Sequence, residues 1–179
     1  MKKILLLLMV SFLVVSLPAQ ILAPVDAASS VKFTIKNFGL KVDGTMKGLQ
    51  GRIIFNTSNL ATASFTVSVD VATINTNNGT RDTHLKKEEY FDVAKYPRLQ
   101  FTSTKLVATN NPAVFKMEGN IMIKGITKLL SFPFRIVEKP NGYMFLGEFT
   151  INRRDFKVGG NSLVLSDNLI VNLSVFAKK

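Results

Sequence analysis

His84 is the only histidine in this 179-residue chain, and cysteine is absent. Acid–base, nucleophilic or metal chemistry would therefore have to run through one imidazole or through carboxylates. A Ser-His-Asp device would need His84 as its base, but no Gly-x-Ser-x-Gly elbow supplies a nucleophile. The usual metal sites need three or four convergent ligands. Asp82 and Glu88 lie near His84 in sequence, on a short charged segment that reads as surface. The other carboxylates, Asp43, Asp70, Asp92, Glu118, Glu138, Glu148, Asp155 and Asp167, are scattered and show no close pair of the kind that general acid–base catalysis uses. Gly159-Gly160 lacks the strand-to-helix setting of a phosphate loop. Thiol catalysis and thiolate metal sites are excluded outright. The residues point away from an enzyme: no catalytic residue, no metal site and no cofactor is expected.

The elements that hold these residues read as strands. Val31, Phe33 and Ile35 alternate with Lys32, Thr34 and Lys36, and Phe65, Val67, Val69 and Val71 alternate with Thr66, Ser68, Asp70 and Ala72. The same period of two runs through Phe115–Ile123, Leu130–Ile136, Tyr143–Ile151 and Leu169–Val175, and more weakly through Gly51–Phe55 and Arg98–Leu106. Pro140-Asn141-Gly142 is a strong hairpin signal. Asn110-Asn111-Pro112 and Gly159-Gly160-Asn161 mark other reversals. Pro133, inside a strand pattern, predicts an edge, a bulge or an outward kink. One stretch, Thr80–Phe91, breaks the rhythm: it is charged, lacks Gly and Pro, and predicts a short inserted helix capped by Thr80 or Asp82.

Short connections predict antiparallel neighbours. Seven or eight such strands, each with one apolar face, leave a sandwich or a closed barrel. The candidate interior is Phe33, Phe65, Val67, Phe101, Phe115, Met117, Phe132, Phe134, Phe145 and Phe149. The chain holds 14 Phe and no Trp, and Phe needs no hydrogen-bond partner when buried. These side chains could fill a solid core or line a channel. Periodicity by itself favours the solid core.

Met1-Lys2-Lys3 followed by an apolar run that ends at Pro18 describes a secretory leader. That run is short for a membrane span. Val25-Asp26-Ala27 offers a cleavage triplet, giving a leader over residues 1–27 and a single domain over 28–179. The expected location is periplasmic or secreted. A chain bound for that compartment without cysteine must draw its stability from packing and strand pairing. The formal charge is +11. Loss of Lys2, Lys3 and Asp26 leaves 21 basic and 11 acidic side chains, near +10. The basic residues are dispersed, which reads first as a soluble, self-repelling surface and second as the means of a transient contact with an anionic membrane surface. A nucleic-acid platform is not expected, because the aromatics share the apolar phase and are not interleaved with the basic residues.

Five motifs occur in a family's order: Thr76-Asn77-Asn78-Gly79-Thr80-Arg81-Asp82-Thr83-His84-Leu85, then Tyr90-Phe91-Asp92 with Tyr96-Pro97, then Phe101-Thr102-Ser103, then Gly119–Lys128, then Ile151-Asn152-Arg153-Arg154-Asp155-Phe156. The chain resembles the YceI-like family from Val31 to Ala177. The resemblance implies an all-β, lipocalin-like barrel of about eight antiparallel strands that carries a polyisoprenoid, a prenylated quinone or a similar long-chain lipid in an internal channel lined by the ten residues named above. It also implies export, and it allows a homodimer. The competing expectation is a filled barrel acting through its surface as an interaction or stress-response module. Arg81, Asp82 and His84 are then either a structural brace or a contact for the ligand headgroup at the barrel mouth, where Arg81 could meet a phosphate. Two positions depart from the family pattern. Asn37 stands where a His is common, and Lys157 follows Asp155-Phe156 where the family has Gly. The first departure implies a different headgroup preference.

Overall fold

Residues that alternate apolar and polar side chains, with turn formers between the runs, settle into antiparallel strands that bury one face. The computed structural model describes residues 20–56 and 59–179. Its strands are β1 Gln20–Pro24, β2 Ser30–Asn37, β3 Leu40–Phe55, β4 Ser64–Asn75, β5 Arg98–Ala108, β6 Val114–Ile123, β7 Ile126–Lys139, β8 Gly142–Asn152 and β9 Leu165–Lys178. One helix, α1 Gly79–Leu85, lies between β4 and β5. Short 3-10 turns occupy Asp26–Ala28, Leu60–Thr62 and Arg153–Phe156.

Eight strands form a closed antiparallel barrel in the order β3-β2-β9-β8-β7-β6-β5-β4, with β4 returning to β3. The inward phase is the one the alternation predicts: Phe65, Val69, Val71, Met117, Ile121, Ile123, Phe132, Phe134, Tyr143, Phe145 and Val175 are buried. The hairpin at Pro140-Asn141-Gly142 falls between β7 and β8. Pro133 sits just before the pairing of β7 with β8 begins at Phe134 and Gly147, while β7 continues to pair with β6. It thus occupies the edge-like position expected of a proline in a strand.

β1 was not expected. It fills the corner between the ends of β3 and β9: Gln20 pairs with Phe55, Leu22 with Ile53, and Pro24 with Ala177. Leu22 is 0% exposed. The Asp26 carboxylate accepts a hydrogen bond from the Leu49 amide at 2.8 Å. A leader boundary after Ala27 would remove the strand that fills this corner, together with that carboxylate. Residues 1–19, which hold the apolar run of the expected leader, lie outside the described residues.

The inserted helix is present but shorter than Thr80–Phe91, and the residues after Leu85 form turns. Its cap is Asn78, whose side chain accepts from the Arg81 amide at 3.0 Å, not Thr80 or Asp82. Asn78 precedes the helix with extended backbone, which aims its short side chain at the free amides of the first turn. Asp82 is already committed elsewhere, as described below.

The phenylalanines interlock through ring edges. Phe55 meets Phe145 at 5.6 Å and 90°, and Phe65 meets Phe145 at 5.1 Å and 89°. Phe132 lies 4.7 Å from Phe149 and 5.9 Å from Phe101. Such offset and edge contacts suit the ring quadrupole. Gly119 admits the Phe101 ring where a Cβ would come within 2.5 Å of Cζ.

Candidate functional site

The interlocked rings close one end of the barrel. The end that carries α1, the β2–β3 turn and the 153–164 loop is open, and holds a cavity of about 720 Å³. That is within the roughly 300–1,000 Å³ usual for small-molecule sites. Its deep wall is apolar, with Val31, Phe33 and Ile35 of β2, Met46 of β3, Ile74 of β4, Leu99 of β5, and Leu169 and Val171 of β9. Leu85 of α1 and Phe91 add to it from above. The rim is mixed: Asn37, Asn78, Thr80, Arg81, His84, Asn161 and Ser162 stand there beside the apolar Phe38 and Val164.

Of the ten residues expected to line the interior, Phe33 lies on the cavity wall. Its ring lies across Gly44, where a Cβ would come within 2.1 Å of it. Phe65, Met117, Phe132, Phe134 and Phe145 are instead buried in the packed cluster, with Val67, Phe101, Phe115 and Phe149 packed against it. Met46 and Ile74 belong both to that cluster and to the cavity wall. The nine therefore sit beneath or beside the cavity. The physical reason is volume: adjacent inward phenylalanines on β4, β6, β7 and β8 meet across the barrel and leave no space between them.

Arg81 and Asp82 grip one residue from two sides. Thr76 is buried. Its amide and Oγ1 both donate to the Asp82 carboxylate, at 2.9 and 2.5 Å. Arg81 donates from Nε to Thr76 Oγ1 and from Nη2 to the Thr76 carbonyl, both at 2.7 Å. This lashes α1 to the end of β4 over the cavity. His84 is 53% exposed, 3.1 Å from the Glu89 carboxylate and edge-on to the Tyr90 ring. The geometry of Arg81 and Asp82 is that of a brace, and His84 stands at the rim outside it.

Arg153 entered the sequence reading only as a member of the Ile151–Phe156 motif and not as a site residue. It is 4% exposed and lies on the cavity wall. Its guanidinium donates to the carbonyls of Val158, Gly160 and Ser166 at 2.9–3.0 Å, and to Asp167 at 2.7 Å. A buried arginine is tolerated when its donors are satisfied in this way, and here it shapes the loop that forms one lip of the cavity. The signal was its place in the Ile151–Phe156 motif. On the outer face, Glu118 is held below the usual carboxylate range by a hydrogen bond from Lys116 and its charge, with a smaller pull from Lys105 and burial opposing. No group of three or more His, Cys, Asp or Glu residues is placed to hold a metal ion among the described residues.

A closed antiparallel barrel, packed at one end and hollow at the other, defines a lipocalin-like fold. The YceI-like domain model matches residues 24–177, and the chain belongs to that family. A UPF0312 protein of Photorhabdus laumondii is 32% identical over 99 residues, which is 55% of this chain and 50% of that protein. The aligned stretch spans half the length of that relative. BcnA of Burkholderia cenocepacia superposes with a TM-score of 0.82 at 20% identity, over 87% of this chain and 99% of that one. A polyisoprenoid-binding domain from Saccharophagus degradans, implicated in plant cell wall breakdown, gives a TM-score of 0.70 at 13% identity, over 90% of this chain and 99% of its own.

Proposed function

We propose that this protein is an exported carrier or sequestering protein that holds one long apolar lipid, of polyisoprenoid or prenylated-quinone type, with its tail in the cavity and its head at the polar rim. The observation that carries this is the cavity of about 720 Å³, apolar at depth and with polar groups gathered at the mouth. Each methylene moved from water into such a wall gains roughly 0.8 kcal/mol, so ten give about 8 kcal/mol before ordering costs are subtracted. Few polar contacts are then needed, and the amides and hydroxyls at the mouth can supply them. The polyisoprenoid-binding domain of the Saccharophagus protein, which shares this barrel, supports the choice of ligand class. The ligand residues under this reading are the deep wall, Phe33 among them. The other nine predicted phenylalanines and neighbours form the floor that a longer tail would press upon. Asn37, at the rim, replaces an imidazole with an uncharged amide and so suits a neutral or weakly polar head.

The reading is of a binding role without catalysis, and what supports it is that the buried polar groups of the wall, Thr76 and Arg153, are spent on the protein itself. The rival reading, a filled barrel acting through its surface, needs a barrel packed shut along its length. Export is part of the proposal, with the leader ending before β1. The test is native mass spectrometry of the purified exported protein, followed by organic extraction. A stoichiometric adduct that extracts as an apolar long-chain lipid is the expected result. A protein that carries no adduct, and takes up none from added polyprenol, would sink the proposal.

A further inference from the structure

The cavity mouth is framed by large apolar side chains that face solvent. Phe38 and Leu40, on either side of the tip of the β2–β3 turn, are each 73% exposed, and Leu163 is fully exposed. Val164, beside it, is also exposed. The two segments are one structure: the Phe38 amide donates to the Val164 carbonyl at 2.9 Å, and Asn37 pairs with Leu165. Phe38 and Val164 also line the cavity, so the apolar lip continues inward as the apolar wall. Single exposed apolar residues need no explanation, but a contiguous group with a polar surround marks a contact surface. Phe38 holds φ at +51°, a conformation that is unusual for a bulky side chain and that here presents its ring outward.

The surround is basic. Lys36 and Lys41 face each other across the β2–β3 hairpin, one step from the lip. Arg154 is hydrogen-bonded to Asn161 of the opposite lip, and Lys157 is exposed just before that loop. The nearby carboxylates offset this only in part. Asp167 is taken by Arg153 at 2.7 Å, Asp43 accepts from Thr34 at 2.6 Å, and Asp155 is exposed. The whole chain is +11.

We infer that the lip formed by Phe38, Leu40, Leu163 and Val164 docks on a lipid bilayer that carries anionic headgroups, with the cavity mouth turned to the membrane. Apolar side chains enter the headgroup boundary while lysines and arginines meet the anionic surface. A lipid tail could then pass between bilayer and cavity without crossing bulk water. The inference deepens the lipid-carrier reading, and rests on it for the purpose of docking but not for the docking itself.

The test is flotation of the full exported protein with vesicles of phosphatidylcholine alone or mixed with phosphatidylglycerol, at low and high salt. The variants are Phe38→Asn, which tolerates positive φ, combined with Leu163→Ser, and separately Lys36→Glu with Lys41→Glu. All four sites are exposed, so circular dichroism should show unchanged folding. The wild type is expected to float with the mixed vesicles. The apolar double variant should lose at least roughly tenfold in partitioning, and the charge variant should lose its preference for phosphatidylglycerol. Equal flotation of wild type and the apolar variant would overturn the inference. So would a wild type that does not float but forms a concentration-dependent dimer abolished by the same variant, which would assign the lip to a second copy of the chain. Extraction and mass spectrometry run alongside separate the two readings. A protein that floats but carries no lipid refutes the carrier and leaves the docking standing, and one that carries lipid but does not float refutes the docking alone.

Discussion

Val171→Asp should abolish lipid retention at neutral pH and restore it in acid, without unfolding the barrel. Val171 lies on the cavity wall, half-buried and paired with Phe33 and Phe149. In the unliganded protein an aspartate there would stay hydrated through the open mouth, so the fold should survive. A tail entering the cavity would strip that water. An ionised carboxylate in an apolar site is costly enough that the group takes up a proton instead. With an ordinary aspartate near pKa 3.9, protonation at pH 7 costs about 4 kcal/mol, or about a thousandfold in affinity. The lipid-bound state would hold this carboxyl's pKa above its free value. The sign follows: the loss is full above the raised pKa and fades as pH falls toward 4, where the free protein is already protonated. Val171→Asn serves as the control, since its milder loss should not change with pH. The assay is displacement of an environment-sensitive alkyl fluorophore between pH 4 and 8, with melting curves at each pH. Undiminished affinity of Val171→Asp at pH 7, in a folded protein, would refute the placement of the tail in this cavity.

Asp82→Ala strips the acceptor from both the amide and the hydroxyl of buried Thr76. It should cost about 3 kcal/mol, read as a melting point about 6–12 °C lower, while the lipid content of the remaining folded protein is unchanged. A large loss of lipid at an unchanged melting point would make the motif a headgroup contact instead. Gly44→Ala would drive a methyl into the Phe33 ring, and should destabilise by about 1–3 kcal/mol in urea unfolding and weaken fluorophore binding as the ring shifts into the cavity. Leu22→Ala should cost about 2–5 kcal/mol, and the intact mass of the exported protein should correspond to a chain that still contains Gln20. A stable exported chain beginning at Ala28 would show that β1 is dispensable.

The strands and their inward faces could be read in the sequence because alternation at period two fixes which side chains share a face. The Pro140-Asn141-Gly142 turn and the charged insertion were equally local signals. What was not local was missed. Phe33 and Phe132 carry the same inward signature, yet one faces open space and the other is packed among Phe101, Phe134 and Phe149. The difference depends on which rings meet across the barrel, and no single strand records that. The burial of Arg153 was not legible because the carbonyls that satisfy it come from the loop and strand after it. β1 was hidden because Ile21-Leu22-Ala23-Pro24 has the composition of a leader's tail as much as of a buried edge strand.

The division of the barrel has an energetic logic. If a cavity of about 720 Å³ were dry, the roughly 24 cal/mol per Å³ seen for engineered voids would put its cost near 17 kcal/mol, above the usual stability of a whole domain. It therefore has to hold water or a ligand. Water fits the polar rim but finds few partners against Ile35, Val171 and Leu169, so its hold on the deep part is weak. A chain that brings its own methylenes replaces that poorly bound water and restores the missing contacts. The phenylalanine plug, closed by Leu22 and Phe55, supplies the stability that a chain without cysteine cannot draw from disulfides, and so lets the other half of the interior stay open. Ligand binding should then stabilise the whole barrel by mass action. Removing the bound lipid with organic solvent or detergent and refolding should lower the melting point, and adding polyprenol should restore it. Identical melting curves before and after delipidation would mean that the open half is not where the lipid sits.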